Sequence, residues 1–371
     1  MRILFVGDIM PGGVLPYQDR YIDNDLLDYM KGFDLRIGTL ECGVGTNIAF
    51  DKKKMDTYKS IVYVRDEDMK RVEEMGFDIV SLANNHAFDL GVEGLKNAIS
   101  LLDKMGIRHF GAGMNIEEAK LPVVIKNGNE EIAIFGCLFD YRVPYIFYTA
   151  SNQVPGVYHT SIEEVVSYIK ELKKRYSKVI VMPHWGEEHQ YLQQSLFKKY
   201  AIRMLEAGAD SIIGSHPHII NPVVTWGGKK CYFSLGNFLF PEKCMQVPRP
   251  MYYPSTAEEC HSLKRMWTYP KSIDEPIVAV WKPKNRIGMM VEMKVSEKCN
   301  SKYRLTCLTA DNVLHKYNSA IVRLRMIFWA MLMHLPGYGF VCRVYNHRYN
   351  FLRRVVDKLP AFNIPVSLGK N

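Results

Sequence analysis

"SLANNHAFDLG", residues 81 to 91, opens as a buried β-strand and stops being one at Asn84. Asn84, Asn85 and His86 then stand where an ordinary chain would place a small turn, and Asp89 follows three residues later. A strand that ends in side chains able to hold a metal or move a proton puts chemistry at its carboxyl end. That is where open α/β sheets build their sites. The reading depends on whether the same placement recurs.

It recurs along the chain. Asp8 follows the apolar run Ile3–Val6, Glu41 follows Leu35–Leu40, and His184 follows Val179–Met182. His216 and His218 follow Ser211–Ile213, and Asn237 follows Tyr232–Leu235. Any one of these has a bland reading: His-Pro-His as a loop detail, Asn-Asn-His as a polar turn, His184 beside Trp185 as a satisfied core histidine. Recurrence at strand ends is what points to a site, because parallel strands bring distant carboxyl ends to one rim. Gly7, Gly214 and Gly236 allow sharp backbone turns there. Asp8, Glu41, Asn85, His184, His216 and His218 form a mixed oxygen and nitrogen set, with Asn84, Asp89 and Asn237 as further polar residues of the rim. Such donors suit zinc, manganese or iron better than calcium. They outnumber what one four-coordinate ion needs, so two divalent transition metal ions sharing a carboxylate fit better.

Between the strands lie segments of helical period. Stretches 66–75, 92–105 and 189–207 each end at a glycine, Gly76, Gly106 and Gly208, of the kind that caps a helix C-terminus. Ser161 with Glu164 reads as a capping box opening a helix over 162–175. Further strands are expected at Val123–Ile125 and Ile132–Phe135. Alternating strands and helices of these lengths predict an α/β sheet packed by helices. Residues 241–285 break the rhythm with Pro, Tyr and Met, and read as an excursion over the rim. "RIGMMVEMKV" (286–295) reads as a last strand, closing a domain over 1–310.

Composition bounds the rest. The chain has 371 residues, 47% hydrophobic and 23% charged, with a formal charge of +9. The charge favours acidic partners without choosing among them. Eight cysteines without a CxxC pair argue against a cysteine zinc site and read as reduced thiols. "MRILFVGDIMPGG" reads as a first strand rather than a secretory signal, and no run approaches the ~18 apolar residues of a membrane span. The expected location is therefore cytoplasmic, with a peripheral visit to the inner membrane surface. That visit is expected from the tail, 311–371, a basic amphipathic helical appendage without an acidic residue from 312 to 356. There Lys316, Arg323, Arg325, Arg343, Arg348, Arg353 and Arg354 interleave with apolar residues, which suits an anionic interface, with Trp329 near the headgroups. The alternative is that the tail docks on the domain by its apolar face. Nucleic acid is the weakest partner reading, because no nucleic-acid module motif is present.

"GDIM" (7–10), "TLE" (39–41), "LANNHAFDLG" (82–91), "HWGEE" (184–188), "GSHPH" (214–218) and "SLGNFLF" (234–240) together carry a resemblance. Over roughly residues 1–310 the chain resembles the capsule biosynthesis protein CapA family, also called the poly-γ-glutamate synthesis PgsA type, of the calcineurin-like metallophosphoesterase superfamily. The resemblance implies a four-layer α/β/β/α sandwich with a dinuclear metal centre. It makes Asp8 the first-motif aspartate, Glu41 the bridging carboxylate and Asn85 a ligand. It makes His86 the histidine at the leaving group, and His184, His216 and His218 the later histidine ligands. The chain departs from the pattern at Met10, where the superfamily has histidine. A thioether is a poor ligand for a hard ion, which predicts that one site is weak. Glu at the bridging position and His189 in place of a tyrosine are further departures. Glu188, four residues past His184, is a candidate to orient that ring or act as a base.

The expected activity is metal-dependent hydrolysis of a phosphoester or related bond in capsule, poly-γ-glutamate or other acidic exopolymer biosynthesis, with the acidic polymer as substrate. The alternative is a non-catalytic subunit that binds polymer or an exopolymer synthase complex and keeps the metal site for recognition.

Overall fold

Alternation along the first strand sets the layers. In the computed structural model, which describes residues 1–48, 60–139, 149–246, 250–267, 275–296 and 299–345, Arg2–Ile9 lies at the centre of a seven-stranded sheet. Leu35–Leu40, Ile79–Ser81 and Arg108–Phe110 follow on one side, all parallel. Ile287–Val295, Cys299–Leu308 and Leu314–Tyr317 extend the other side antiparallel. A six-stranded sheet runs Val223–Trp226, Lys229–Tyr232, Ser211–Ile213, Lys178–Trp185, Glu130–Phe139, Val123–Asn127, with its four inner strands parallel.

Successive side chains point to opposite faces of a strand. Ile3, Phe5 and Ile37 therefore meet Ile132, Ile134, Ile180 and Met182 in a core between the two sheets. Leu4 and Val6 face outward and pack with Leu26, Met30, Val72, Leu95 and Leu102, which come from helices. On the other sheet Phe135, Cys137, Val179 and Val181 face Val165, Ile169, Phe197 and Met204 of the helices Ile162–Arg175 and Ser195–Ala207. The result is the four-layer α/β/β/α sandwich. The helix Ile162–Arg175 starts at the expected capping box: Ser161 Oγ accepts from the Glu164 backbone N–H, and the Glu164 carboxylate accepts from the Ser161 backbone N–H.

Some elements differ from the sequence reading. The strand expected at Tyr232–Leu235 runs earlier, Lys229–Tyr232, because its parallel partner Ser211–Ile213 ends opposite Tyr232. The helix expected over 189–207 begins only at Ser195. Ahead of it His189 has a φ of 63°, and Gln193 accepts a hydrogen bond from the Glu187 backbone, so the chain forms a folded loop first. Stretch 66–75 is a 3-10 turn, Asp66–Met69, followed by a short α-helix, Lys70–Glu74. Within 241–285 the chain builds a small sheet, Lys243–Met245, Ile277–Ala279 and Lys264–Met266, with the helix Ala257–Ser262.

The sheet continues past residue 310, where the sequence reading placed the domain's end, because Leu314–Tyr317 pairs with Cys299–Leu308. The helix Ala320–His334 then docks on the sandwich. Val322 and Met326 enter the core between the sheets, and Met333 joins the outer core of the six-stranded sheet. Trp329, expected near lipid headgroups, is half-buried and stacks on Tyr191 at 6.3 Å. Yet Ile321, Leu324, Ile327, Phe328 and Met331 are more than half exposed, so this helix is apolar on its outer side as well. A second helical stretch covers 338–345, and Arg348, Arg353 and Arg354 lie outside the described residues. Among the described residues no helix is long and apolar enough to cross a membrane.

Met326→Ala should lower stability by about 2–5 kcal/mol, the usual range for truncating a buried side chain. Ile321→Ala, at a position 78% exposed, should change it by less than about 0.5 kcal/mol. Urea unfolding of the two variants checks the docking, and equal midpoints would show that the helix is not packed on the domain.

Candidate metal centre

Both sheets deliver side chains to one rim. Asp8 lies near the end of the first strand, where the pairing with Leu35–Leu40 shifts register between Phe5 and Asp8. An irregularity of this kind re-aims side chains next to a site. Backbone contact is close here: a Cβ on Gly7 would stand 1.8 Å from the Gly236 carbonyl oxygen, and Gly236 itself has a φ of 65°. Only glycine permits that approach, and it lets the Asp8 and Asn237 backbones bridge in parallel. His216 and His218 hold φ values of 96° and 53° without being glycines. Such backbone strain is typical of functional sites.

The donors converge on Glu41. Glu41 Oε1 lies 3.3 Å from His184 Nε2 and 3.7 Å from His218 Nε2. His218 Nδ1 is 3.7 Å from Asp8 Oδ2. His184 Nε2 also faces Asn85 Oδ1 at 2.8 Å and His216 Nδ1 at 3.1 Å. Glu41, His184 and His216 thus form one compact group of three ligand atoms, and Asp8, Glu41 and His218 form another, with Glu41 common to both. All five side chains are buried.

Surrounding contacts fix the rings. Ser215 Oγ lies 2.9 Å from His184 Nδ1, which leaves Nε2 turned toward Glu41. The Asn237 amide donates to the Asn285 carbonyl at 3.0 Å, so its oxygen faces His218 Nδ1 at 2.9 Å. Fixing one imidazole nitrogen in this way sets the nitrogen that can bind a metal. Asp89 Oδ2 sits 2.6 Å from His86 Nδ1 and also accepts from the Val62 backbone at 2.7 Å. The Asn84 side chain serves the turn: its oxygen accepts from the backbone N–H groups of His86 and Ala87, and its amide donates to the Leu40 carbonyl.

Charge is arranged around the shared carboxylate. Burial raises the Glu41 carboxyl, but His218 and His184 beside it outweigh burial and hold it below the usual range. Burial, then the charge of Glu41, pushes Asp8 well up. Burial and the neighbouring His184 bring His216 down to about 3. A divalent cation against Asp8 would favour its charged form, and a neutral His216 is the form that binds metal.

The residues fit a metal centre. Asp8 Oδ1 is buried and accepts no hydrogen bond, and the imidazole nitrogens and oxygens of His184, His216, Asn85 and Glu41 gather at one position. That donor set suits divalent transition metals. Met10 is fully buried in the apolar core and supplies no hard donor at its position. Glu188 lies at the surface, its side chain 47% exposed and its Oε2 3.8 Å from His189 Nε2. Ser215 Oγ holds the Nδ1 of His184. Sequence reasoning missed Ser215 and Asn285. Ser215 sits inside "GSHPH" and could have been read as a support, whereas Asn285 lies far from any motif.

Purified protein should take up one to two equivalents of transition metal. A His184→Ala, His216→Ala double variant should lose most of it, since even supporting residues are worth ~10–100-fold in metal affinity. Elemental analysis after dialysis checks this, and unchanged content in the double variant would remove the dinuclear reading.

Residues 2–242 match the family model described as bacterial capsule synthesis protein PGA_cap. The PGA biosynthesis protein CapA of Bacillus subtilis (strain 168) is 31% identical over 250 residues, 64% of this chain and 63% of its own length. The capsule biosynthesis protein CapA of Bacillus anthracis is 28% identical over 253 residues, 65% of this chain and 60% of its own length. The chain therefore spans just under two thirds of the length of these curated relatives. A solved structure described as a novel phosphatase from Mycoplasma pneumoniae superposes with a TM-score of 0.46 at 13% identity, covering 88% of this chain and 98% of that one. The matched span contains Asp8, Glu41, Asn85, His184, His216 and His218, and the chain belongs to the bacterial capsule synthesis protein PGA_cap family.

Proposed function

We propose that the chain is a metal-dependent hydrolase of a phosphoester or related bond in an acidic exopolymer, acting in capsule or poly-γ-glutamate synthesis. The observation that carries this reading is Glu41, shared by two three-residue ligand groups. Family membership supports the polymer context. Asp8, Glu41 and His218 would hold one ion, and Glu41, Asn85, His184 and His216 the other. Two divalent ions held there would supply Lewis acidity and lower the pKa of water at neutral pH.

The chain's own residues do the rest. Asp89 holds His86 Nδ1, so the imidazole presents Nε2 for proton exchange with a leaving oxygen. Asp89 is fully buried, and its carboxylate stabilises the protonated ring. Ser215 and Asn237 keep His184 and His218 in their ligand orientations. Burial of the ligand set excludes bulk water, which strengthens electrostatic interactions within the site.

A second reading, a subunit that binds polymer or an exopolymer synthase complex without turnover, is favoured by the outer side of the helix Ala320–His334. Ile321, Leu324, Phe328 and Met331 are exposed there at helical spacing, in a stretch free of acidic residues from 312 to 356. The same surface suits an anionic membrane, and a cytoplasmic protein resting on the inner membrane surface is the location we propose. Each lysine or arginine near an anionic leaflet contributes about 1 kcal/mol.

His86→Asn should keep fold and metal while lowering turnover roughly 10²–10⁴-fold, the usual worth of a general acid or base. Rates on phosphomonoester, phosphodiester and γ-glutamyl substrates measure this. Equal rates would take His86 out of the reaction. Metal-loaded wild type that hydrolyses none of the three would favour the binding subunit. Full-length protein should also co-sediment with anionic vesicles in a salt-sensitive way, and a Phe328→Ser, Met331→Ser variant should not. Equal sedimentation of the two would exclude this surface as the membrane contact.

A further inference from the structure

Beside His218 stands an aromatic pair that carries a buried cation. Phe240 and Trp281 flank the His218 imidazole, with ring centroids 5.2 and 5.3 Å from it. They also contact each other at 5.5 Å, and Trp281 Nε1 donates to the Phe240 carbonyl at 2.8 Å, so the pair is held as a unit. Lys243, the first residue of the strand Lys243–Met245, places its Nζ 5.0 Å from the Phe240 centroid and 4.9 Å from that of Trp281. The same two rings thus touch a candidate metal ligand and an ammonium.

Lys243 is only 7% exposed. Among the described residues no carboxylate pairs with it. Glu242, next to it in the chain, is gripped by Arg265 and Arg286. Lys284 donates to the His189 carbonyl at 2.8 Å. Lysines are almost never this buried unless paired, because an ammonium taken from water needs an anion or several acceptors. Aromatic faces attract it but replace only part of that hydration.

We propose that Lys243 is the anion-binding residue of this site, taking an oxyanion of a polyanionic substrate beside the group that would undergo hydrolysis. This deepens the hydrolase reading and rests on it for the position of that group. The oxyanion is a phosphate oxygen or a carboxylate, and both offer the ammonium the same charge-assisted hydrogen bond. The aromatic pair sets the distance from ligand to cation, so a substrate with one negative group at the metals and a second along the chain would span both. A neutral substrate would leave Lys243 without a partner.

Isothermal titration of metal-loaded, full-length protein tests this with two probes, inorganic phosphate and a short γ-linked glutamate oligomer. Lys243→Met keeps the aliphatic stem and should weaken binding of at least one probe about 10- to 100-fold, as expected for a hydrogen bond to a charged group. Metal content and melting temperature should stay at wild-type values, and Lys243→Arg should retain most of the affinity. The probe that responds identifies the source of the oxyanion. Affinities of Lys243→Met within twofold of wild type for both probes would overturn the proposal, as would wild type that binds neither. Binding is read without turnover, so a protein that hydrolyses nothing but loses probe affinity on Lys243→Met would end the hydrolase reading and leave this one standing.

Discussion

A fully buried carboxylate at the junction of two sheets is the constraint on which the rest of this structure depends. Glu41 follows a central strand of the seven-stranded sheet, while His184 and His218, which hold it in its charged form, come from the six-stranded sheet. A buried negative charge without partners would be costly, so the two sheets must meet at this point with their parallel strands ending together. The packing of Ile3, Phe5 and Ile37 against Ile132, Ile134 and Ile180 supplies that alignment. Core register and site geometry are the same requirement here: slipping one strand by a residue would turn its ligand away and expose its apolar face.

The backbone around the carboxylate is correspondingly tight. Gly7 and Gly236 let two chain segments approach more closely than any side chain would allow, and the positive φ values of His216 and His218 are held by the packing around them. The His184 and His218 rings are fixed from behind by neutral partners, Ser215 and Asn237, rather than by a charge. This leaves the negative charge of the site concentrated on the carboxylates that face the ligand position. Asp89, a charged partner, backs the His86 imidazole, which is the proton-exchanging group of the proposed reaction.

The C-terminal helix shows how one segment can answer two demands. Val322, Met326 and Met333 give it a buried side that anchors it to the sandwich, so it is part of the folded body. The residues left outside are nearly as apolar, and a helix that is apolar all round is normally covered on every side. Trp329, which composition alone placed at a lipid surface, lies instead against Tyr191.

The sequence by itself determined the alternation of strands and helices that makes the α/β class, because side-chain period, glycine stops and the Ser161 capping box are local signals. It also determined the polar set at the strand ends, since Asp8, Glu41, Asn85, His184, His216 and His218 each follow an apolar run. Which of those donors could share an ion was decided only by the tertiary structure, because the place of Glu41 in both candidate groups depends on how two sheets pack rather than on spacing along the chain. The same holds for Ser215 as a support of His184, and for the stacking of the half-buried Trp329 on Tyr191. Lys243 was the least legible of all. Nothing local distinguishes it from a solvated lysine, and its burial beside Phe240 and Trp281 arises only when these distant residues are brought together in the fold.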